Sequence, residues 1–281
     1  MQPGQPSRTA LGAAYHRAAH QVLERGGIFT DPLAARILGA DAETAVREAQ
    51  SDPRRKGLRL FIAVRTRFAE DALASAVGRG VQQLVALGAG LDTYAYRTTL
   101  GPGLRLFEVD HPATQAWKRQ RLAEAEIPVP RALTFAPVDF ERETLADGLA
   151  AAGFDPARQT FFTCLGVVPY LTEQAVFSTL DFIARLPGGA HVVFDYANPQ
   201  DPGQGRDGFA AARRALAFRV ASVGEGFKTH FETDELRARL AELGYRDVED
   251  LGPSQIRDRY LAGRGGSLPE RGGHIVRAST L

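Results

Sequence analysis

The feature that most constrains this chain is a short apolar segment that runs into two glycines, followed by a second apolar segment that ends in an acid. Residues 84–93 read LVALGAGLDT and residues 107–110 read FEVD. Apolar runs of this length are typical of buried strands in a parallel sheet. Gly88 and Gly90 let the backbone approach a ligand closely, and Asp110 is placed to accept hydrogen bonds from a ribose. The sequence therefore predicts a nucleotide-type cofactor site at the carboxyl edge of an α/β sheet.

The glycine spacing departs from the dinucleotide-binding fingerprint, which has a third glycine three residues after the second. Thr93 stands at that position. The third glycine lets a helix and a strand pack closely around a pyrophosphate, so its loss argues against a nicotinamide cofactor. S-adenosylmethionine (SAM) has no pyrophosphate and less need of that geometry. The alternative to any cofactor is a glycine-rich turn that binds nothing.

Apolar segments and helical patterns alternate along the chain. Strands are predicted at 82–87, 104–109, 133–138, 160–165, 189–195, 246–250 and 273–278, and N-terminal helices at 9–25 and 55–79. Thr172 and Thr233 are predicted to cap two further helices, because a threonine hydroxyl can accept from the first free N–H groups. This alternation is typical of a doubly wound parallel sheet with helices on both faces.

The same residues resemble a known family. Residues 86–97, ALGAGLDTYAYR, strongly resemble the first motif of the leucine carboxyl methyltransferase-like family of class I SAM-dependent O-methyltransferases. Matches to the second, third and fourth motifs follow in order, and two N-terminal segments look like the bacterial branch; these are residues 107–112, 138–140, 165–172, 7–10 and 31–34. The resemblance covers nearly the whole chain and implies a mostly parallel seven-stranded sheet whose last strand is antiparallel.

One domain is predicted for the whole chain, residues 1–281, with four parts. These are N-terminal helices at 1–80, a cofactor-binding core at 81–196, a lid-like helical insertion at 197–228 and a C-terminal part of the sheet at 229–281.

The resemblance also implies which residues hold SAM. The turn formed by Gly88, Ala89 and Gly90 is expected beneath the methionine part, and Asp110 is expected to bind the ribose hydroxyls. Asp139 and Phe140 are expected to bracket the adenine. For Asp110 the alternative is a helix cap ahead of Pro112, and for Asp139 it is a turn residue at the strand end.

Arg65 interrupts the apolar face of its helix, and a buried charge is costly without a partner. The family places an arginine here to bind the cofactor carboxylate, a contact that suits a guanidinium group. Arg67 is the local competitor, and a surface ion pair between Arg65 and Glu70 is the alternative.

Leu165 stands where several family members have an acid. It remains among the expected cofactor contacts, although leucine cannot accept a hydrogen bond from the cofactor's ammonium group. Backbone carbonyls at Gly88 or at residues 164–165 are expected to do so instead.

Polar residues near the predicted site are candidates for handling the acceptor. Tyr170, His20 and Tyr196 are candidate catalytic residues, and Tyr15, Arg17 and Tyr170 are candidate acceptor-binding residues. Tyr170 follows the fourth strand at the edge where such sheets bind ligands, and its alternative is a packed aromatic residue. His16 and His20 have the i, i+4 spacing of metal ligands, but no third ligand accompanies them in sequence. No metal is predicted.

The predicted reaction is an in-line transfer of the methyl group from SAM to an acceptor oxygen, with S-adenosylhomocysteine as the product. The acceptor is predicted to be a carboxylate or phenol of a small molecule of the secondary-metabolite type. A carboxylate, with an unperturbed pKa of about 4, needs no general base, whereas a phenol at about 10 does. The lack of an evident base favours the carboxylate. The competing interpretations are an NAD-dependent oxidoreductase and a non-catalytic SAM-binding protein.

The composition further restricts which binding partners and cellular locations are expected. The net charge of +1 gives no electrostatic basis for binding nucleic acid or an anionic membrane. Only one cysteine is present, so no disulfide can form within the chain. No run of 18 apolar residues suggests a membrane span, and the first 25 residues have no apolar signal segment. A cytoplasmic protein is expected.

Overall fold

The computed structural model describes residues 7–101, 103–139, 142–199, 226–262 and 272–281. Its strands are β1 Gln83–Leu87, β2 Arg105–Asp110, β3 Leu133–Pro137, β4 Thr160–Cys164, β5 Ala190–Ala197, β6 Asp247–Leu251 and β7 Gly273–Ser279. Its helices are α1 Arg8–Leu23, α2 Asp41–Ser51, α3 Lys56–Gly78, α4 Tyr94–Arg97, α5 Pro112–Glu124, α6 Leu145–Ala151, α7 Glu173–Ala184, α8 Thr233–Glu242 and α9 Pro253–Tyr260. Short 3₁₀ turns lie at Arg36–Leu38, Pro53–Arg55 and Val168–Tyr170.

The seven strands form one sheet in the order β3-β2-β1-β4-β5-β7-β6. All neighbouring pairs are parallel except those of β7, which runs antiparallel to both β5 and β6. The predicted mostly parallel sheet with an antiparallel last strand is therefore confirmed. The chain leaves β1 towards β2 and β3 and then returns to add β4 on the other side, so a crevice is expected beyond the carboxyl ends of β1 and β4.

Side chains alternate between the two faces of the sheet and build a core on each. Val85 and Leu87 of β1 join the cluster under α6, α7 and α8, whereas Leu84 joins the cluster under α3 and α9. Because each core strand is covered on both faces, its sequence reads as a continuous apolar run. Each predicted strand is found with its ends within two residues of the structural bounds.

The N-terminal helices pack beside this sheet. α1 begins after Ser7, whose hydroxyl accepts the N–H of Ala10 at 3.1 Å, and a third apolar cluster joins α1 and α2 to Leu91. The predicted helices at 9–25 and 55–79 correspond to α1 and α3.

The two predicted threonine caps have different outcomes. Thr172 caps α7, since its hydroxyl accepts the N–H of Ala175 at 3.2 Å. The prediction for Thr233 is wrong. Glu232 holds the N-cap position of α8, and the Thr233 hydroxyl instead lies 3.0 Å from the hydroxyl of Tyr196.

Only the ends of the predicted lid-like insertion, residues 197–199 and 226–228, lie within the described residues, and Ala197 is the last residue of β5. Phe140 also lies outside them. Among the described helices, none combines the length and the apolar character needed to cross a bilayer.

Candidate functional site

The turn that follows β1 has the conformation of a ligand-binding backbone loop. Gly88 and Gly90 have φ angles of 62° and 45°, in the left-handed region that favours glycine. A Cβ atom on Gly88 would overlap Cγ2 of Val167, and one on Gly90 would lie 2.9 Å from Cβ of Ala10. The turn therefore needs glycine both for its backbone conformation and for its contacts with neighbouring segments.

Asp110 is joined directly to this turn. Its Oδ2 accepts the N–H of Gly90 at 2.6 Å, and its Oδ1 accepts the N–H of His111 at 2.7 Å. Burial raises the pKa of Asp110, and these two N–H groups act against that rise. The cap of α5 is His111, whose Nδ1 accepts from Ala113, so the alternative of Asp110 as that helix cap is not supported.

The end of β3 lies beside the end of β2. Val138 donates its N–H to the carbonyl of Asp110 at 3.0 Å, which brings Asp139 next to Asp110 at the same edge of the sheet. The Asp139 carbonyl closes a turn by accepting the N–H groups of Arg142 and Glu143 at 2.8 Å. The predicted ribose and adenine contacts therefore share one edge, although their binding roles stay predictions.

Arg65 is buried on α3 and has an acidic partner in the chain. Its Nη1 donates to Oδ2 of Asp195 at 2.8 Å, while Oδ1 of Asp195 accepts the N–H of Gly166 at 2.5 Å. The Nε of Arg65 is buried without a hydrogen-bond partner. Glu70, the surface partner considered for Arg65, pairs with Arg97 instead.

The competitor Arg67 is a surface residue. It pairs with Asp71 at 2.7 Å, and both side chains are about half exposed. Of the two arginines, Arg65 is therefore the one whose guanidinium is buried at the sheet edge.

Asp195, which contacts Arg65 and Gly166 at this edge, was not singled out by the sequence analysis. It follows the apolar residues Val192, Val193 and Phe194 of β5, as Asp110 follows the apolar residues of β2. An acid near the end of a buried strand was the signal that could have identified it.

Leu165 directs its side chain to the α3 side of the sheet. It packs with the apolar cluster there and helps to line a cavity of about 40 Å³ together with Thr66 and Thr163. A role in holding the cofactor stays a prediction, and it would be a role of its backbone or of its apolar surface.

A buried polar network supports the glycine turn from the side of α1. Arg17, 7% exposed, donates from Nη2 to the carbonyl of Leu91 at 2.5 Å. The hydroxyl of Thr93 donates to Oδ2 of Asp31 at 2.6 Å. The threonine that departs from the dinucleotide fingerprint thus anchors the turn to the N-terminal segment. The structure gives Arg17 this supporting contact, rather than a place against an acceptor.

His20, a candidate catalytic residue, is an internal structural group in the structure. It is fully buried, its Nδ1 lies 3.2 Å from Oε2 of Glu24, and its Nε2 accepts the N–H of Ile28 at 3.4 Å. Because both ring nitrogens have partners within the chain, the geometry does not support a general base here.

Tyr196, the second such candidate, is buried in a different network. Its hydroxyl donates to Oδ2 of Asp250 at 2.7 Å and lies 3.1 Å from Nδ1 of His274. Burial raises the pKa of Tyr196, with Asp250 adding to the rise. This hydroxyl ties β5 to β6 and β7, and a catalytic role for it has no geometric support.

Tyr15 lies in the N-terminal helices beside α2. It packs on the third apolar cluster, and burial raises its pKa, with the carboxylates of Asp41 and Glu48 adding to the rise. These surroundings favour a packing role for Tyr15, and its acceptor-binding role stays a prediction.

Tyr170 lies at the sheet edge, in the turn that follows β4. Its ring centroid is 5.4 Å from that of Phe227, and the N–H of Lys228 donates to the carbonyl of Pro169 at 2.8 Å. The last residues of the predicted insertion, Phe227 and Lys228, are thus folded against the Tyr170 turn. Of the three candidate catalytic residues, Tyr170 is the one that the structure places at this edge without burying it completely.

Within the residues that the structure describes, no group of three or more His, Cys, Asp or Glu side chains could hold a metal ion. Cys164 is buried at the end of β4, and burial raises the pKa of its thiol to about 12. A thiol in that environment is a poor nucleophile near neutral pH.

Comparison with known proteins extends this description. The family described as leucine carboxyl methyltransferase matches residues 10–184. The chain is 30% identical to YktD of Bacillus subtilis, provisionally named an S-adenosyl-L-methionine-dependent methyltransferase, over 95% of each chain. It is 33% identical to a relative from Frankia alni with the same kind of name, covering 84% of this chain and 86% of the relative.

A solved structure from Thermobifida fusca, described as that of a methyltransferase, superposes with a TM-score of 0.56 at 16% identity. The match covers 99% of this chain and 96% of the other. At that identity the likeness shows a shared fold.

Proposed function

Because this chain belongs to the leucine carboxyl methyltransferase family and is a SAM-dependent methyltransferase, we propose that it methylates an oxygen atom of a small organic acceptor. The favoured acceptor group is a carboxylate on a molecule of the secondary-metabolite type. A phenol is the second candidate.

The residues at the carboxyl edge fit SAM on two observations of the structure. The left-handed turn of Gly88 and Gly90 is held beside the Asp110 carboxylate, and Arg65 has a buried Nε with no hydrogen-bond partner. In the proposed site Arg65 holds the cofactor carboxylate, Asp110 holds the ribose hydroxyls and Asp139 holds the adenine amine. SAM, when bound there, supplies a methyl group that is already activated for transfer.

The choice of a carboxylate rests on one observation. The candidate bases His20 and Tyr196 already make hydrogen bonds within the chain. His20 has both ring nitrogens occupied, and the hydroxyl of Tyr196 is shared among Asp250, Thr233 and His274. A carboxylate is ionised above about pH 5 and needs no proton removed, whereas a phenol needs a base or a lowered pKa. Because His20 and Tyr196 are both engaged within the described part of the chain, a carboxylate is the better-supported acceptor.

The remaining task of the protein is alignment. Holding two reactants in a reactive geometry can supply on the order of 7–11 kcal/mol of the barrier. Tyr170 and Phe227 form a half-buried aromatic pair at the edge of the sheet, and we assign them to holding the acceptor. In this assignment the Tyr170 hydroxyl positions the acceptor and removes no proton.

The binding experiment is titration calorimetry of the purified protein with SAM, S-adenosylhomocysteine and NAD. Binding of the first two without NAD supports the proposed cofactor. Binding of NAD alone would overturn it.

The second experiment uses SAM labelled in its methyl group and pairs of acceptors that share a ring, such as an arylacetic acid and the related phenol. A methyl ester releases labelled methanol in mild alkali, whereas an aryl methyl ether does not. We expect alkali-labile product. An alkali-stable product would contradict the carboxylate, and cofactor binding without turnover across the panel would favour a non-catalytic protein.

A further inference from the structure

Asp195 and Arg65 form an ion pair at the carboxyl edge of the sheet, next to the turn after β4. Asp195 is 4% exposed and Arg65 is 9% exposed, with 2.8 Å between Oδ2 and Nη1. Burying two charges costs free energy that their mutual attraction offsets only when further hydrogen bonds complete the pair. Apolar side chains in these two positions would avoid that cost, so the presence of the pair at the carboxyl edge of the sheet favours a functional role.

Both members of the pair have hydrogen-bonding positions that no group among the described residues uses. Oδ1 of Asp195 accepts the N–H of Gly166 and Oδ2 accepts from Arg65, but a carboxylate has about four acceptor positions. Arg65 has five N–H donors, and its Nε is buried without a partner. A spare acceptor and a spare donor therefore lie side by side, fixed by opposite charges.

Glycines bring the backbone of two turns close to the pair. Gly166 has a φ of 70°, and a Cβ atom there would lie 2.7 Å from Nη2 of Arg65. Glycine at this position lets the Arg65 guanidinium lie directly against the turn. Gly88, in the turn after β1, lies within contact distance of Val167, which belongs to the same turn as Gly166. The pair is thus adjacent to the two glycine turns that flank the crevice.

Leu165 provides no side-chain acceptor at this point. The parallel register ends with Cys164 paired to Phe194, so Leu165, just after β4, and Asp195, still on β5, are the next residues along at that level. Leu165 packs on the α3 side, while Asp195 presents its carboxylate to the Gly166 turn. Asp195, on β5, therefore places a side-chain carboxylate beside the turn that follows β4.

An α-amino-acid group carries an ammonium and a carboxylate on one carbon, and it is complementary to such a pair. We propose that the Arg65–Asp195 pair is the receptor for the amino-acid end of the cofactor, with Asp195 binding the ammonium group while Arg65 binds the carboxylate. This inference rests on the proposed function, because it assumes that SAM occupies the crevice. It assigns to Asp195 the contact that Leu165 cannot make.

The test is a comparison of two ligands that differ only in the ammonium group. S-Adenosylhomocysteine and its deaminated analogue are titrated calorimetrically into the wild-type protein and into Asp195→Asn. Asparagine keeps the shape and one acceptor for the Gly166 N–H but removes the charge. We expect Asp195→Asn to weaken S-adenosylhomocysteine by about tenfold or more and to change the analogue much less, since only the first ligand loses a charge-assisted hydrogen bond.

Asp110→Asn is the matched control. The ribose is present in both ligands, so this variant should weaken both by the same factor and leave their ratio unchanged. Equal losses for both ligands in Asp195→Asn would instead show that Asp195 only supports Arg65 and Gly166, and would overturn the inference. Unchanged affinity for S-adenosylhomocysteine in a folded Asp195→Asn protein would overturn it too.

The wild-type protein gives a measurement that does not depend on whether Asp195→Asn folds. It should bind S-adenosylhomocysteine at least about tenfold more tightly than the deaminated analogue. Equal wild-type affinities would mean that the ammonium has no charged partner, which overturns the inference while leaving SAM as the cofactor. Failure of the wild type to bind either ligand would overturn the proposed function itself, so the two failures are distinguishable.

Discussion

The N–H of Gly90 lies 2.6 Å from Oδ2 of Asp110, so the acid at the end of β2 holds the turn that follows β1. The two residues come from different strands, and the parallel pairing of β1 with β2 brings their ends together. A carboxylate that already fixes the turn needs little rearrangement to bind a further hydroxyl. The shape of the turn and the proposed ribose contact thus depend on one side chain.

Replacing Asp110 with alanine should therefore weaken SAM binding in two ways, because it removes a contact to the ligand and also the support of the glycine turn. We expect at least a tenfold rise in the dissociation constant, because hydrogen bonds to a charged acceptor are each worth about 1.5–3 kcal/mol. Titration calorimetry measures it, with Asp181→Ala, at a surface ion pair on α7, as the unaffected control. Wild-type affinity in a folded Asp110→Ala protein would show that the residue does not touch the cofactor.

The glycines of the turn can be tested with a matched pair of variants. Gly90 and Gly101 both have φ angles near 45°, so alanine is strained at each by about 1–2 kcal/mol. Only Gly90 is crowded, with Ala10 2.9 Å from the added Cβ, whereas nothing lies within 4 Å at Gly101. Gly90→Ala should lose SAM affinity and stability, and Gly101→Ala should lose stability alone. Equal SAM affinity in the two variants would contradict a role for the turn in binding.

The sequence analysis identified the features that depend on local pattern. Apolar runs located the strands, because a buried parallel strand needs apolar residues on both faces, and the motif spacing brought the glycine turn and Asp110 together. Contacts between residues that are far apart in the sequence could not be predicted from these local patterns. His20 and Glu24 are separated by one helical turn, but the closing contact comes from Ile28, and Tyr196 finds Asp250 only after β6 and β7 have added to the sheet. Asp195 was missed for the same reason, since its partner Arg65 is 130 residues away.

Arg17 was predicted to touch the acceptor, but it donates to the carbonyl of Leu91 beneath the glycine turn. Arg17→Gln should therefore raise the SAM dissociation constant severalfold and lower the free energy of unfolding by about 1.5–3 kcal/mol. Arg121→Gln is a suitable comparison, because Arg121 also donates to a backbone carbonyl, that of Leu38, away from the turn. Arg121→Gln should reduce stability without changing SAM affinity. A changed KM for the acceptor alone in Arg17→Gln would favour the original acceptor-binding role.

The lowered pKa of Glu24 predicts how the stability of the protein changes at low pH. Burial alone would raise its pKa, but hydrogen bonds from His20 and Arg59 lower it to about 2, from 4.5. A carboxyl with a lowered folded-state pKa stabilises the protein above its unfolded pKa and loses that contribution as the pH falls towards the folded pKa. The free energy of unfolding should thus decline between about pH 4.5 and 2.

Urea unfolding at pH 7 and at low pH measures this decline. Glu24→Gln should be less stable than the wild type at pH 7 and should lose less on acidification. Glu43→Gln, in a surface pair whose carboxylate side chain is 89% exposed, should lose as much as the wild type. Identical acid sensitivity of Glu24→Gln and the wild type would assign the decline to other carboxyl groups.

The chemistry of the acceptor can be read from the pH dependence of the methyl-transfer step. A carboxylate acceptor is ionised above about pH 5, so single-turnover rates should be nearly constant between about pH 6 and 9. Tyr170→Phe should then lower the rate only modestly, because it removes a positioning hydroxyl and no base, while SAM binding stays unchanged.

A phenol acceptor predicts a rate that rises with pH until the base or the phenol has ionised, and near-complete loss of turnover when that base is replaced. Single-turnover measurements with the best acceptor of the panel, on the wild type, Tyr170→Phe and His20→Gln, separate the two mechanisms. A rise of tenfold per pH unit would refute the base-free mechanism, and abolished turnover in one of these variants with intact SAM binding would identify the base.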